Sequence, residues 1–325
     1  MIYGFGAALT WAFDTVILGL ALSNVVFLDT PTAIALASFT STFLHDAMSA
    51  IYMFIYMAVR KKLRKTWELL TSKRGKFVVL AALIGGPFGM SGYVMAINNI
   101  GPAYTAAISA FFPAFGAFLA VFFLKTKMHW YQWLGLVACL IGVAVLGWVP
   151  DESVSGNWTL GIVGALITVV GWGTEAVIIE WALQGENVDD ECCLQIRQTT
   201  SAVTYACIIL PLLGGWGVTL HAAASSAMPV IMLASLIGTI SYLFYYKAID
   251  RIGAAKSMAL NITYSAWAIP VGLIILGTMP DLRGIVCAFV IIAGAIVAAA
   301  DLKELFSNGK PEATTDSNNI SESAA

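Results

Sequence analysis

Apolar runs long enough to cross a lipid bilayer recur along nearly the whole of this 325-residue chain, and they leave few folds open to it. A helical crossing takes about 20 apolar residues, and inside the hydrocarbon every backbone N–H and C=O must find its partner within the protein. Ten such runs are read, at residues 2–23, 31–59, 76–98, 102–124, 129–149, 159–184, 191–213, 228–249, 255–277 and 281–302. Only 11% of residues are charged, against roughly a quarter in a soluble domain, so a water-soluble surface cannot be assembled from this chain. The expected fold is an all-α integral membrane protein with ten transmembrane helices. No basic residue precedes the first run, which therefore reads as a retained span. The polar tail at 303–325 lacks aromatic residues after Phe306 and reads as disordered.

The basic residues are unevenly placed. The loop Arg60–Lys76 carries eight Lys and Arg, and Lys125, Lys127, Lys247, Arg251, Lys256, Lys303 and Lys310 fall on the same side of the membrane. Of the opposite loops only one holds a basic residue, Arg283. The positive-inside rule then puts both termini in the cytoplasm, with the plasma membrane as the expected location. A lipid- or nucleic-acid-binding patch is the other reading of the basic loop. Orientation explains it more simply, and no nucleic-acid partner is expected. The five cysteines form no CxxC or Cys/His spacing, so packing is expected of them, with no cofactor and no metal.

The chain also repeats itself. A shift of 152 residues lays YVMAINNIGPA (Tyr93–Ala103) on YYKAIDRIGAA (Tyr245–Ala255), Phe115 on Trp267 and His45 on Arg197. A slightly larger shift lays Trp11 on Trp172 and Asp14 on Glu175. The repeats are read as 1–149 and 159–302. A unit with an odd number of spans enters its second copy from the opposite face, so the repeats are inverted, as in secondary transporters whose substrate sites lie at the midplane.

The strings TWAFDTVI (Thr10–Ile17) and GWGTEAVI (Gly171–Ile178) set a Trp and an acid three residues apart in apolar helices. Such pairs share a helix face, and a bare carboxylate in hydrocarbon costs at least about 2.5 kcal/mol. Each acid must be protonated, paired or facing water. The basic residues nearest mid-membrane are His45 and Arg197, and the long Arg197 side chain can also extend to the interface.

On these segments the chain resembles the drug/metabolite transporter superfamily with paired EamA modules, carried by IGPAYTAAISAFFPAFGAFLAVFFLKTKM (Ile100–Met128) and its echo after Ile252. LHDAMS (Leu44–Ser49), GGPFGM (Gly85–Met90), GWGTEAVI, IRQTTS (Ile196–Ser201), SYLFYYKAI (Ser241–Ile249) and LNITYSAW (Leu260–Trp267) are similar to the LicB-type choline importers. The resemblance implies choline uptake through an aromatic cage with proton coupling. The same fold also exports amino acids and other small metabolites, which is the alternative reading.

A quaternary ammonium has no N–H to donate, so proteins recognise it with aromatic faces, at about 0.5–2 kcal/mol each. Trp11, Trp172, Tyr245, Tyr264 and Trp267 are the candidate faces, with helix packing as their other use. One or two of Tyr242, Tyr245 and Tyr246 are expected to face away, since successive helix positions differ by about 100°. Glu175 is assigned to the ammonium and, with Asp14, to proton coupling. His45 and Asp46 form either a proton relay or a structural bond between helices. Asn261 either bonds a substrate hydroxyl or joins helices. Gly85, Gly86, Pro87, Gly89 and Gly92 interrupt the third span, and Pro113, Pro211 and Pro270 are expected to kink theirs. No phosphate-binding loop, GxSxG or HExxH string is present, so no enzyme is expected.

Overall fold

The computed structural model describes residues 1–147 and 156–300, so the tail read at 303–325 lies outside the described residues. The described chain is helical: α1 (Ile2–Leu22), α2 (Pro31–Val59), α3 (Leu63–Thr71), α4 (Lys73–Leu83), α5 (Gly89–Ser109), α6 (Phe112–Phe123), α7 (Trp130–Gly147), α8 (Trp158–Leu183), α9 (Asp190–Thr204), α10 (Leu210–Leu213), α11 (Trp216–Ala223), α12 (Ala227–Ile252), α13 (Ala254–Asn261), α14 (Tyr264–Leu276) and α15 (Leu282–Ala299). Among the described residues nine stretches are long and apolar enough to cross a membrane, each burying between 33% and 50% of its most apolar window. The remainder, with large apolar side chains such as Phe122, Ile274 and Phe289 exposed, suits contact with lipid. The run expected at 191–213 is present as α9, a π-turn at Tyr205–Ile209 and α10. It is more polar than the others because Gln195, Arg197, Gln198 and Ser201 turn inward and are buried.

Packing crosses between the repeats. α1 lies along α12 and α8 lies along α5, so the first span of each repeat packs against the third span of the other. α2 pairs with α9 and α7 with α15 in the same exchange. The short helices obey it too, α3 resting on α9 and α11 on α2. The clearest mark of duplication is in the backbone. Gly101 (φ 77°, ψ 166°) and Gly253 (φ 80°, ψ 163°), 152 positions apart, share a conformation essentially restricted to glycine. Each breaks a helix at the same point of the IGPA/IGAA echo.

The prolines act differently from one another. Pro113 stands in the first turn of α6, where a missing N–H breaks no helical bond, whereas Pro211 follows directly on the π-turn Tyr205–Ile209 inside a continuous helical run. Pro270 sits inside α14. Pro87 lies in a π-turn, Ile84–Phe88, that joins α4 to α5 without ending the span; such turns absorb a lost hydrogen bond and recur at functional sites.

On the side of the basic loop an ionic cluster ties the repeats together. Lys62 Nζ reaches Asp189 Oδ2 at 2.8 Å and Glu191 Oε2 at 2.6 Å, Lys65 reaches Asp189 at 3.2 Å, and the Tyr56 hydroxyl donates to Glu191 at 3.0 Å. Burial pushes Asp189 upward, but the Lys62 and Lys65 ammonium groups outweigh it and hold this carboxyl below its usual range. Its stabilising contribution is therefore fully present above the ordinary carboxylate pKa and is lost as pH falls through the lowered value. Lys62→Met is expected to lower the midpoint of thermal unfolding, with a coupling of about 0.5–3 kcal/mol to Asp189→Asn in a double-mutant cycle. Additive effects in that cycle would show the contact to be idle.

Candidate functional site

Where α1, α2, α8, α9 and α12 converge, the helices line a cavity of about 460 Å³. Its walls follow the duplication. Trp11 lies edge-on to Tyr242 at 5.0 Å and to Tyr264 at 6.4 Å between ring centres. Trp172 lies edge-on to Phe112 at 5.6 Å and is tilted 31° against Tyr93 at 5.5 Å. Phe112 matches Tyr264 under the 152-residue shift, so the Trp11–Tyr264 and Trp172–Phe112 contacts are related by the repeat, and Tyr93 and its match Tyr245 both line the cavity.

The acids are paired in the same symmetric manner. His45 Nε2 lies 3.1 Å from Asp14 Oδ1, and Arg197 Nε donates to Glu175 Oε1 at 3.0 Å. Asp14 and His45 come from the first and second spans of one repeat, Glu175 and Arg197 from the first and second of the other. Asp46 joins the two pairs: its Oδ1 is 3.3 Å from His45 Nδ1, its Oδ2 accepts from the Ser201 hydroxyl at 2.6 Å and lies 3.7 Å from Arg197 Nη1. The Tyr246 hydroxyl donates to Glu175 Oε1 at 3.4 Å, and Gln198 Oε1 accepts from Arg197 Nη1 at 2.8 Å. The result is one buried network, Asp14–His45–Asp46–Arg197–Glu175.

A neutral imidazole donates from one ring nitrogen only. Both His45 nitrogens face carboxylates, so the doubly protonated ring satisfies both contacts at once. With that ring charged and the three acids ionised, the network carries a formal charge of −1.

Local sequence explains the close approach. A Cβ built on Gly85 would fall 1.8 Å from Glu175 Oε2, and one on Gly238 would fall 2.7 Å from His45 Nε2 and 2.9 Å from Asp14 Oδ2. The two positions lack side chains where the carboxylates pass. The π-turn at Ile84–Phe88 turns Gly85 and Gly86 onto the cavity wall.

Of the residues read from sequence, Trp11, Asp14, His45, Asp46, Trp172, Glu175, Tyr245, Asn261 and Tyr264 line this cavity. Trp267 does not. It is half-buried on α14 outside the lining, and its indole N–H is buried without a hydrogen-bond partner. Tyr264, three residues earlier, takes the inward position. Tyr242, Tyr245 and Tyr246 all face the cavity, against the expectation that one or two would turn away, because spacings of three and four share a helix face. Arg197 does not reach for the interface; only 5% exposed, it is held by Glu175 and Gln198. Tyr93, Phe112 and Met90 also line the cavity without having been singled out. The internal alignment carried that signal, for it matches Tyr93, Phe112 and Met90 to the inward-facing Tyr245, Tyr264 and Tyr242. Four of the five cysteines are buried, all five are free, and no cluster of potential metal ligands occurs among the described residues.

Two helical repeats meeting around a shared cavity are the architecture of secondary transporters. The model of the EamA-like transporter family matches residues 1–148 and 159–300, and the chain belongs to that family. Protein LicB of Haemophilus influenzae is 30% identical over 195 residues, 59% of this chain and 64% of that protein, so the match spans less than two thirds of the relative's length. A protein of known crystal structure, 18% identical, superposes with a TM-score of 0.67 over 91% of this chain and 96% of its own, a likeness of fold.

Proposed function

We propose that this chain imports choline or a related quaternary ammonium compound by alternating access, with both termini in the cytoplasm and with proton coupling. The observation that carries the proposal is the meeting, in one cavity, of two indole rings and a buried network in which three carboxylates face two basic side chains. Aromatic faces suit methyl groups that cannot donate hydrogen bonds, and with the three carboxylates ionised against two basic groups one monovalent cation balances the network. Asn261 fits the hydroxyl end of such a ligand: it lines the cavity and its Oδ1 is buried without a partner. Membership of the EamA-like transporter family and the likeness to Protein LicB support the transport part of this reading.

Export of amino acids, the other activity associated with this fold, calls for a basic residue or a helix N-terminus facing the substrate carboxylate. Both cavity cations, His45 and Arg197, already face carboxylates. Counterflow in liposomes separates the two readings: labelled choline should exchange unchanged, and neutral amino acids should neither exchange nor compete. Amino-acid exchange without choline exchange would reverse the assignment.

His45, between Asp14 and Asp46, is the group assigned to the proton. A membrane potential of 100 mV alone contributes about 2.3 kcal/mol per charge, so accumulation by itself does not reveal coupling. At zero potential, an inward proton gradient should drive choline uptake. Uptake that ignores the gradient refutes symport and leaves a uniporter.

A further inference from the structure

We propose that Arg197 is a tethered surrogate for the substrate, its guanidinium holding the Glu175 carboxylate and a face of Tyr242 until an incoming cation displaces it. The inference rests on the reading of the cavity as a quaternary ammonium site and adds a competitor built into the chain. A quaternary ammonium ion needs an aromatic face and a carboxylate, and Arg197 occupies one of each. Its guanidinium carbon lies 4.6 Å from the centre of the Tyr242 ring, and its Nε donates to Glu175 Oε1 at 3.0 Å.

Two further observations support displacement over a static ion pair. First, the guanidinium has a second anchorage. Nη1 donates to Gln198 Oε1 at 2.8 Å and lies 3.7 Å from Asp46 Oδ2, so on leaving Glu175 it can tighten onto Asp46 without becoming an unpaired buried charge. Second, the duplication does not impose the arrangement. The repeat-mate of Tyr242 is Met90, and His45, the mate of Arg197, has an acid without that aromatic face. The stacked, paired cation is thus a property of one half of the cavity.

The consequence is selectivity. A ligand gains the site only by making better contacts than a tethered guanidinium does, which excludes small, strongly hydrated cations that cannot pack against rings. Apparent affinity is lowered by the fraction of protein in which Arg197 holds the site.

The test compares the full-length protein with Arg197→Ala and Arg197→Lys by tryptophan-fluorescence titration and thermal shift, using choline chloride and millimolar guanidinium chloride. Both variants should bind choline at least about tenfold more tightly than the parent. Lys keeps the charge but lacks the planar, stacking fork, so its gain separates occupancy of the site from net charge. In Arg197→Ala, guanidinium should bind and compete with choline. The proposal is overturned if the parent binds choline while Arg197→Lys binds it no more tightly, or if guanidinium and choline bind Arg197→Ala without competing. Arg197→Lys alone decides the matter should Arg197→Ala fail to fold. If the parent binds no quaternary ammonium ion at all, the functional reading itself falls.

Discussion

Glu175→Gln is expected to weaken choline binding by about 2–5 kcal/mol, a loss of thirtyfold or more, because truncating one member of a buried charge pair leaves the opposing charge without its partner. The amide preserves the size of the side chain and removes only its charge. Arg197 would keep Asp46 and Gln198 as partners, so the helices should still assemble, with a modest drop in thermal midpoint. Titration of the purified variant and initial uptake rates in liposomes both report the loss. Asp14→Asn is the informative companion. It removes one of the carboxylates beside His45 but leaves Glu175, Arg197 and Tyr242 together. It should spare most choline binding and flatten the dependence of uptake on a pH gradient. Full choline binding by Glu175→Gln would remove the acid from the proposed site.

Gly85→Ala carries the second large effect, and it acts through space. The added methyl would stand 1.8 Å from Glu175 Oε2, 2.5 Å from its Cδ and 2.6 Å from its Cβ, so the clash involves the base of the side chain as well as its tip. Glu175 must swing away from Arg197 or α8 must withdraw from the π-turn. Overpacking of this kind costs about 1–3 kcal/mol, and the displaced carboxylate should abolish binding. Gly217→Ala is the control, since nothing lies within 4 Å of its added Cβ. Combining Gly85→Ala with Glu175→Asp shortens the acid and should restore part of the thermal midpoint. A Gly85→Ala protein that transports normally would show that Glu175 moves freely and that the packing described for it is not required.

Much of the site was legible in the sequence because hydrocarbon is an unforgiving solvent. A carboxylate in an apolar run must face something other than lipid, which picks out Asp14, Asp46 and Glu175 together with Glu180, whose Oε2 instead accepts from the Ala254 N–H at 2.8 Å. The i, i+3 rule then places Trp11 and Trp172 beside two of them. The duplication also relates Tyr93 to Tyr245 and Phe112 to Tyr264, and every one of these four lines the cavity. Trp267 shows the limit. Its position in an apolar helix was visible, but the rotation of α14 about its axis depends on the helices packed around it.

The sequence by itself determined that this chain spans a membrane, that its two halves are copies, and that acids and indoles recur at matching positions of those halves. Length, charge and internal likeness are properties of the chain alone, and the bilayer converts them directly into spans. Tertiary structure decided which groups meet. Crossed packing of α1 with α12 and of α8 with α5 closes the cavity, brings His45 to Asp14, and draws Arg197 to Glu175 beneath the face of Tyr242. Residues 22 and 45 positions apart in sequence become one ion pair stacked on one ring because buried charge is tolerable only when compensated, and the helices that supply the compensation are neighbours only in the fold.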